Sequence, residues 1–207
     1  MKKYYLFFIL SLLILPMLYK STPTEVIKLR TFDALVKTPE PSDYFRILDI
    51  TEEDVANLGG YPFPRQQLAQ IHRDLINQGA LGVGWVISFP QADRFGGDKE
   101  FGELLSLTNS VIALFENDNG NYPKTTGTVI LGDDIGGYMS GGVVNNIKDL
   151  ADNSLEGVAS APTDIDNLVR RMPLLYRTPD GWIAAFGTQV LKSLTGADSY
   201  IIKTNPN

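Results

Sequence analysis

The sequence predicts an α/β protein: a mixed sheet with a parallel strand–helix–strand centre and an antiparallel C-terminal hairpin, preceded by an N-terminal membrane helix. Three observations lead there. Residues 4–19 carry no charge and are flanked by Lys2, Lys3 and Lys20. Two uncharged apolar runs, 80–89 and 110–115, enclose a segment of helical periodicity, the pattern of parallel strands joined by right-handed crossovers. Two turn clusters, Asp164–Asn167 and Pro179–Gly181, separate short apolar stretches near the C-terminus, as hairpins require.

Composition bounds the rest. Of 207 residues, 43% are hydrophobic and 20% charged, which suits a globular chain and not a disordered one. That length holds one folded unit plus a small extra segment. There is no cysteine, so disulfides and thiolate zinc sites are excluded, and a single histidine, His72, excludes multi-histidine metal sites. The net charge is −6; without Lys2, Lys3 and Lys20 the remaining 187 residues carry −9. No basic footprint for nucleic acid exists.

The apolar run YYLFFILSLLILPMLY, residues 4–19, is the small segment. Sixteen helical residues reach about 24 Å, short of a ~30 Å hydrocarbon core by an amount that snorkelling lysines can cover. The residues after it offer no pair of small side chains for signal cleavage, which favours an uncleaved anchor over a signal peptide. Lys2 and Lys3 place the N-terminus in the cytoplasm and the bulk of the chain outside it. The organisation expected is an anchor at 1–20, a leading helix and linker at 21–41, and an extracytoplasmic domain at 42–207.

The elements follow in order. Residues 24–37 read as a helix with Leu29, Phe32, Leu35 and Val36 as an apolar stripe, ended by Pro39-Glu40-Pro41. Arg46–Ile50 is a strand candidate. Thr51 caps a short helix that Gly59-Gly60 stops. Tyr61-Pro62-Phe63-Pro64 is extended, its two rings are expected on the core, and Pro64 starts a helix ending before Gly79. Residues 80–89 form a buried strand, 98–107 a helix and 110–115 a second strand. Residues 128–131 are a short strand, and Gly132–Gly142 a flexible loop. Strands are expected at 158–161, 169–175 and 182–185, a helix at 186–194, and a strand start at 200–203 that is cut off before finding a partner.

Few side chains suggest chemistry. His72, beside an apolar stripe, reads as a buried histidine bonded locally, or as a base or pH sensor; no nucleophile accompanies it. Ser140 lies in GYMSGG, the wrong spacing for a nucleophile elbow. Gly132–Gly142 lacks both the Lys-Ser/Thr pair of a P-loop and G-x-G-x-x-G. Asp49 with Glu52–Asp54 could hold a hard cation, but three of these acids suit a helix N-terminus. Asp133, Asp134, Asp164 and Asp166 suit turns. Arg170-Arg171 alternate along a strand, so one points inward and needs an acidic partner, or else binds an anion.

Three stretches in order, RILDITEEDVANLGGYPFPR (46–65), LINQGALGVGWVISFPQAD (75–93) and PTDIDNLVRRMPLLYRTPDGWIAAFGTQVL (162–191), together resemble the sensing domain called CHASE, type 2 (cyclase/histidine-kinase-associated sensing extracellular). Gly60 to Arg65 match its aromatic-Pro-aromatic-Pro-Arg segment. Gly79, Ala80, Gly84, Trp85 and Phe89 match its first long strand. Asp164, Asp166, Val169, Arg170, Arg171, Pro173 and Leu174 match its hairpin, and Asp33 stands where the family has an acid. Val86 replaces the family's strand aspartate, and Asn167 its turn glycine. The resemblance spans about residues 25–195.

The resemblance implies an extracytoplasmic sensor and no enzyme: no catalytic, cofactor or metal residues, and no cofactor. It singles out Asp49, Arg65, Trp85, Asp164 and Arg170 as ligand-binding or key structural residues. The partners it implies are an unidentified extracytoplasmic ligand and the membrane through residues 4–19, with a homodimer left open and no nucleic acid. The family's output is a cytoplasmic nucleotide cyclase or kinase, and the reading frame is expected to run on past Asn207 into further strands, membrane spans and such a domain, a nucleotide cyclase first. A membrane-tethered enzyme and an envelope interaction module remain the alternatives.

Overall fold

In the computed structural model, residues 4, 5, 8, 11, 22–37, 40–133 and 136–204 are described. They divide into two compact units, Met1–Asp49 with Pro162–Arg171, and Ile50–Ala161 with Met172–Asn207. Most of the expected membrane helix, 4–19, lies outside the described residues; Tyr4, Tyr5, Phe8 and Ser11 are helical. Among the described residues no helix is long and apolar enough to cross a membrane.

In the first unit, α1 (Thr22–Leu35) has Glu25 in its first turn, where a carboxylate favours the helix dipole. Its expected apolar stripe is not a buried face. Leu29 is buried, but Phe32 is 43% and Leu35 76% exposed. At about 100° per residue, positions 26, 27, 29, 32 and 35 spread around the axis, so no single face is apolar. The expected strand at 46–50 does not form. A strand needs a neighbour to take its backbone groups. Residues 46–50 have none among the described residues, and Ile47 is 95% exposed.

The second unit opens with α2 (Glu52–Asn57), held by a capping box. The Asp54 N–H donates to Thr51 Oγ1 at 3.2 Å, and the Thr51 N–H donates to the Asp54 carboxylate at 2.9 Å. Gly59 and Gly60 end it with positive φ angles of 88° and 100°. Next, α3 (Arg65–Asn77) buries Leu68, Ala69 and His72 on one face. Of the long run 80–89, only β1 (Val83–Trp85) is strand; then come α4 (Asp98–Ser106) and β2 (Ser110–Glu116).

The centre is parallel as expected. β1 pairs with β2 in the register Val83↔Ser110 to Trp85↔Ile112, and β5 (Leu155–Val158) lies parallel on the other side of β2, Val111↔Leu155 to Leu114↔Val158. The expected strand at 158–161 therefore sits three residues early, because Glu156 and Gly157 hide a buried strand from a hydrophobicity reading. Between β2 and β5 the chain forms β3 (Thr128–Leu131), β4 (Val143–Val144) and α5 (Lys148–Ala151); β4 pairs antiparallel with the end of β2.

The C-terminal hairpin forms between β6 (Leu175–Thr178) and β7 (Gly181–Ala184), joined at Pro179-Asp180. Residues 169–174, expected as strand, are not, and the hairpin starts after them. The last helix, α6 (Phe186–Thr195), ends at Gly196 with φ 65°. β8 (Tyr200–Lys203) is not cut off from a partner: it pairs parallel with β3, Thr128↔Tyr200 to Leu131↔Lys203.

Helices α3, α4 and α5 cover one face of the parallel strands, packing Leu68, Phe101, Leu105 and Leu150 with Trp85, Phe89 and Ile112. On the other face α6 comes close enough to exclude side chains. A Cβ on Gly157 would lie 2.6 Å from Phe186 Cα, and one on Gly84 2.8 Å from the Phe186 ring. A second cluster, Leu114, Val143, Val158, Tyr176, Ile183 and Ala185, fills the space between the strands and the hairpin.

Only one ring of the Tyr61/Phe63 pair meets the core. Phe63 is 2% exposed and Tyr61 61%, edge-on to it at 5.8 Å between centroids. Phe63→Ala is expected to lower unfolding free energy by ~3–5 kcal/mol in urea titrations, and Tyr61→Ala by less than ~1 kcal/mol. Gly157→Ala should destabilise by about 1–3 kcal/mol, since the obstructing atoms are backbone.

Candidate functional site

The five residues singled out by the sequence do not converge. They fall into three separate groups and one exposed position, Asp49, whose carboxylate has no partner among the described residues.

Arg170 builds the first group, within the first unit. Its side chain is 5% exposed. Nε and Nη2 donate to the two oxygens of Asp33 at 2.7 and 2.8 Å. Nη1 and Nη2 donate to the two oxygens of Asp166, both at 2.7 Å, and Nη1 also donates to Asp164 at 3.1 Å. A guanidinium has five N–H donors in a fixed fork, and all five are engaged. The loop that delivers the two aspartates is turned by Asn167, at φ 62°, a left-handed geometry that asparagine accepts in place of glycine. The Arg170 bonds hold Asp33 below the ordinary carboxylate range and bring Asp166 down to about 2. The inward arginine with an acidic partner is thus present, on a loop and not on a strand.

Arg65 builds the second. It is 7% exposed at the start of α3, stacked over Phe89 at 4.5 Å. Its Nη2 donates to the Gln91 carbonyl at 3.2 Å, and its Nε lies 3.2 Å from Asp98 as an ion pair without hydrogen-bond alignment. Asp93 accepts from the backbone N–H groups of Arg65, Phe95 and Gly97. Burial pushes the Asp93 carboxyl up, but these donors outweigh it and hold it low. Arg65 thereby pins the loop after β1 to α3 and α4.

Trp85 belongs to the third. Its indole Nε1–H donates to His72 Nδ1 at 3.1 Å. Indole is a donor only, so the neutral ring carries its proton on Nε2, which donates to Thr108 Oγ1 at 2.9 Å. Thr108 Oγ1 donates in turn to the Leu104 carbonyl at 3.1 Å and shares a 2.7 Å bond with Ser110 Oγ. His72 is fully buried, and its pKa falls to about 4, first because burial disfavours the cation and then because of Arg73. With both ring nitrogens engaged, His72 acts as a joint between α3, β1 and the turn before β2.

Two carboxylates missed in the sequence lie along the same sheet. Glu116, at the carboxyl end of β2, is raised by burial, partly offset by bonds from Ser140 and Tyr138. Glu156 of β5 is raised by burial too, and receives a 2.8 Å bond from Asn146 Nδ2. Asn146 also accepts from the Phe89 N–H at 2.6 Å and donates to the Ala113 carbonyl at 3.2 Å. The β5 register places Glu156 and the β4 register Glu116, and neither pairing can be read locally. Among the described residues no three His, Asp or Glu side chains are grouped to hold a metal.

The family comparison names the class: the CHASE2 domain matches residues 8–204, nearly the whole chain. The chain belongs to the CHASE2 family, extracytoplasmic sensory domains of signalling receptors. Neither a search of curated proteins nor one of solved structures returned a match.

The histidine joint predicts acid sensitivity. Its folded pKa of about 4 lies below the ordinary ~6.5, so its contribution is complete above pH ~6.5 and is lost as pH falls towards 4. The melting temperature should drop by several degrees across that window. His72→Gln, which keeps one donor and one acceptor, should flatten the slope; an unchanged slope would place the sensitivity elsewhere.

Proposed function

We propose that this chain is the ligand-recognition part of a membrane-bound receptor, anchored by residues 4–19 with residues 21 onward outside the cytoplasm. It would couple to a cytoplasmic nucleotide cyclase or kinase. The observation that carries the reading is the Arg170 clasp. The helix α1 follows the apolar run, and Asp33 near its end is gripped by an arginine 137 residues later, on the loop between β5 and β6. A change in that loop would reach α1 through the two charge-assisted bonds from Arg170 to Asp33, and α1 leads back to the anchor. A two-state loop biased by ligand supplies the physical mechanism.

Two measurements test this. Alkaline phosphatase fused after Asn207 should be active, and a cytoplasm-only fluorescent reporter at the same place silent; the reverse defeats the reading. In hydrogen exchange, Arg170→Gln should cut protection of α1 amides about tenfold, and Asp33→Asn in addition should add little, because both remove one interaction. Additive losses would mean that the two residues are not coupled.

A further inference from the structure

An open groove of about 570 Å³ runs along the amino-terminal edge of β2 and β5, between the carboxyl ends of α4, α5 and α6. Helix carboxyl ends carry carbonyls with no partner inside the helix. Here they draw in the donors of the groove. Ser106 Oγ donates to the Glu103 carbonyl at 2.7 Å, Ser154 Oγ to Leu150 at 2.9 Å, and Asn153 Nδ2 to Asp149 at 2.7 Å. The Asn109 amide turns its Nδ2 to the Leu81 carbonyl at 2.9 Å. The polar lining is therefore weighted towards oxygen acceptors, with Lys192, the Ser193 hydroxyl and the second N–H of each amide as its donors.

Ser110 is the deepest of them, 3% exposed. The direction of the histidine joint decides its state. Thr108 Oγ1 accepts from His72 Nε2–H and gives its own proton to the Leu104 carbonyl, so the bond between Thr108 and Ser110 is donated by Ser110. The Ser110 oxygen is left as an acceptor at the groove floor, one end of a chain that reaches Trp85. Charge is close to balanced. Asp152 is held by Lys124 and Lys148, while Lys192, lying over the Tyr200 ring, and Asp198 both line the groove.

We propose that this groove binds a small neutral polyhydroxylated molecule, a polyol or monosaccharide, one hydroxyl of which donates to Ser110 and completes the chain through Thr108 and His72 to Trp85. Acceptors beside a few donors, with charges of both signs, select a neutral ligand rich in hydroxyls, each of which both donates and accepts. This assignment rests on the sensory reading and supplies its ligand class.

The test uses the full 207-residue chain in phosphatidylcholine nanodiscs, with the Trp85 indole N–H resonance as readout. Glucose or myo-inositol should shift it saturably at millimolar concentration, and putrescine and citrate should not. Ser110→Ala should weaken binding at least about tenfold at a temperature where the variant is fully folded. Ser193→Leu, which fills the groove from α6 without touching the chain, should block binding and leave the ligand-free resonance in place. The proposal is overturned if neither polyol moves the resonance, if both variants bind as the parent does, or if putrescine or citrate binds more tightly. Correct topology without polyol binding would sink the groove alone. Polyol binding with the reversed topology would sink the receptor reading alone.

Discussion

The constraint on which the second unit depends is the double pairing of β2. This strand hydrogen-bonds to β1 on one side and β5 on the other, both parallel, and its end also pairs with β4. Parallel neighbours need crossovers, so helices must cover both faces. The two faces are treated differently. Bulky side chains, Trp85 and Ile112 among them, meet α3 to α5, whereas glycines at 84 and 157 let α6 approach the strands at backbone distance.

That frame explains why its polar groups are mostly buried links. Arg65, His72 and Asn146 each join segments that the pairing brings side by side but does not itself bond. His72 ties α3 to β1 and to the turn entering β2; Asn146 ties the segment before α5 to the loop after β1 and to the strands. A buried polar group without partners is costly, so each link is specific to one arrangement of its neighbours.

The first unit uses a different device. Arg170 engages every donor it has on three carboxylates, two from its own loop and one from α1. The local pair, Asp164 and Asp166, orients the guanidinium; the distant one, Asp33, gives it something to hold. Charge-assisted, two-pronged bonds fix both distance and angle, so α1 and the loop share one geometry in that unit.

Much of this was legible in the chain itself. Helical periodicity located α3, α4 and α6, with Gly79 as the stop of α3, and the uncharged runs located β2 and, in part, β1, because those signals are local and each element satisfies its own rule. That one of Arg170 and Arg171 points inward and needs an acid or an anion followed from burial of charge. The identity of the acid did not, since nothing local connects Asp33 with a residue 137 positions on. The same limit governs the errors. RILDI has strand composition but no neighbour, and YIIK looked stranded until β3 took it as a partner. Glu156 and Gly157 disguised β5, one by its charge and the other by the absence of a side chain. Pairing is a long-range property: backbone groups are satisfied by whichever segment the fold brings alongside, so tertiary structure alone decides which extended segments become strands and which polar residues meet.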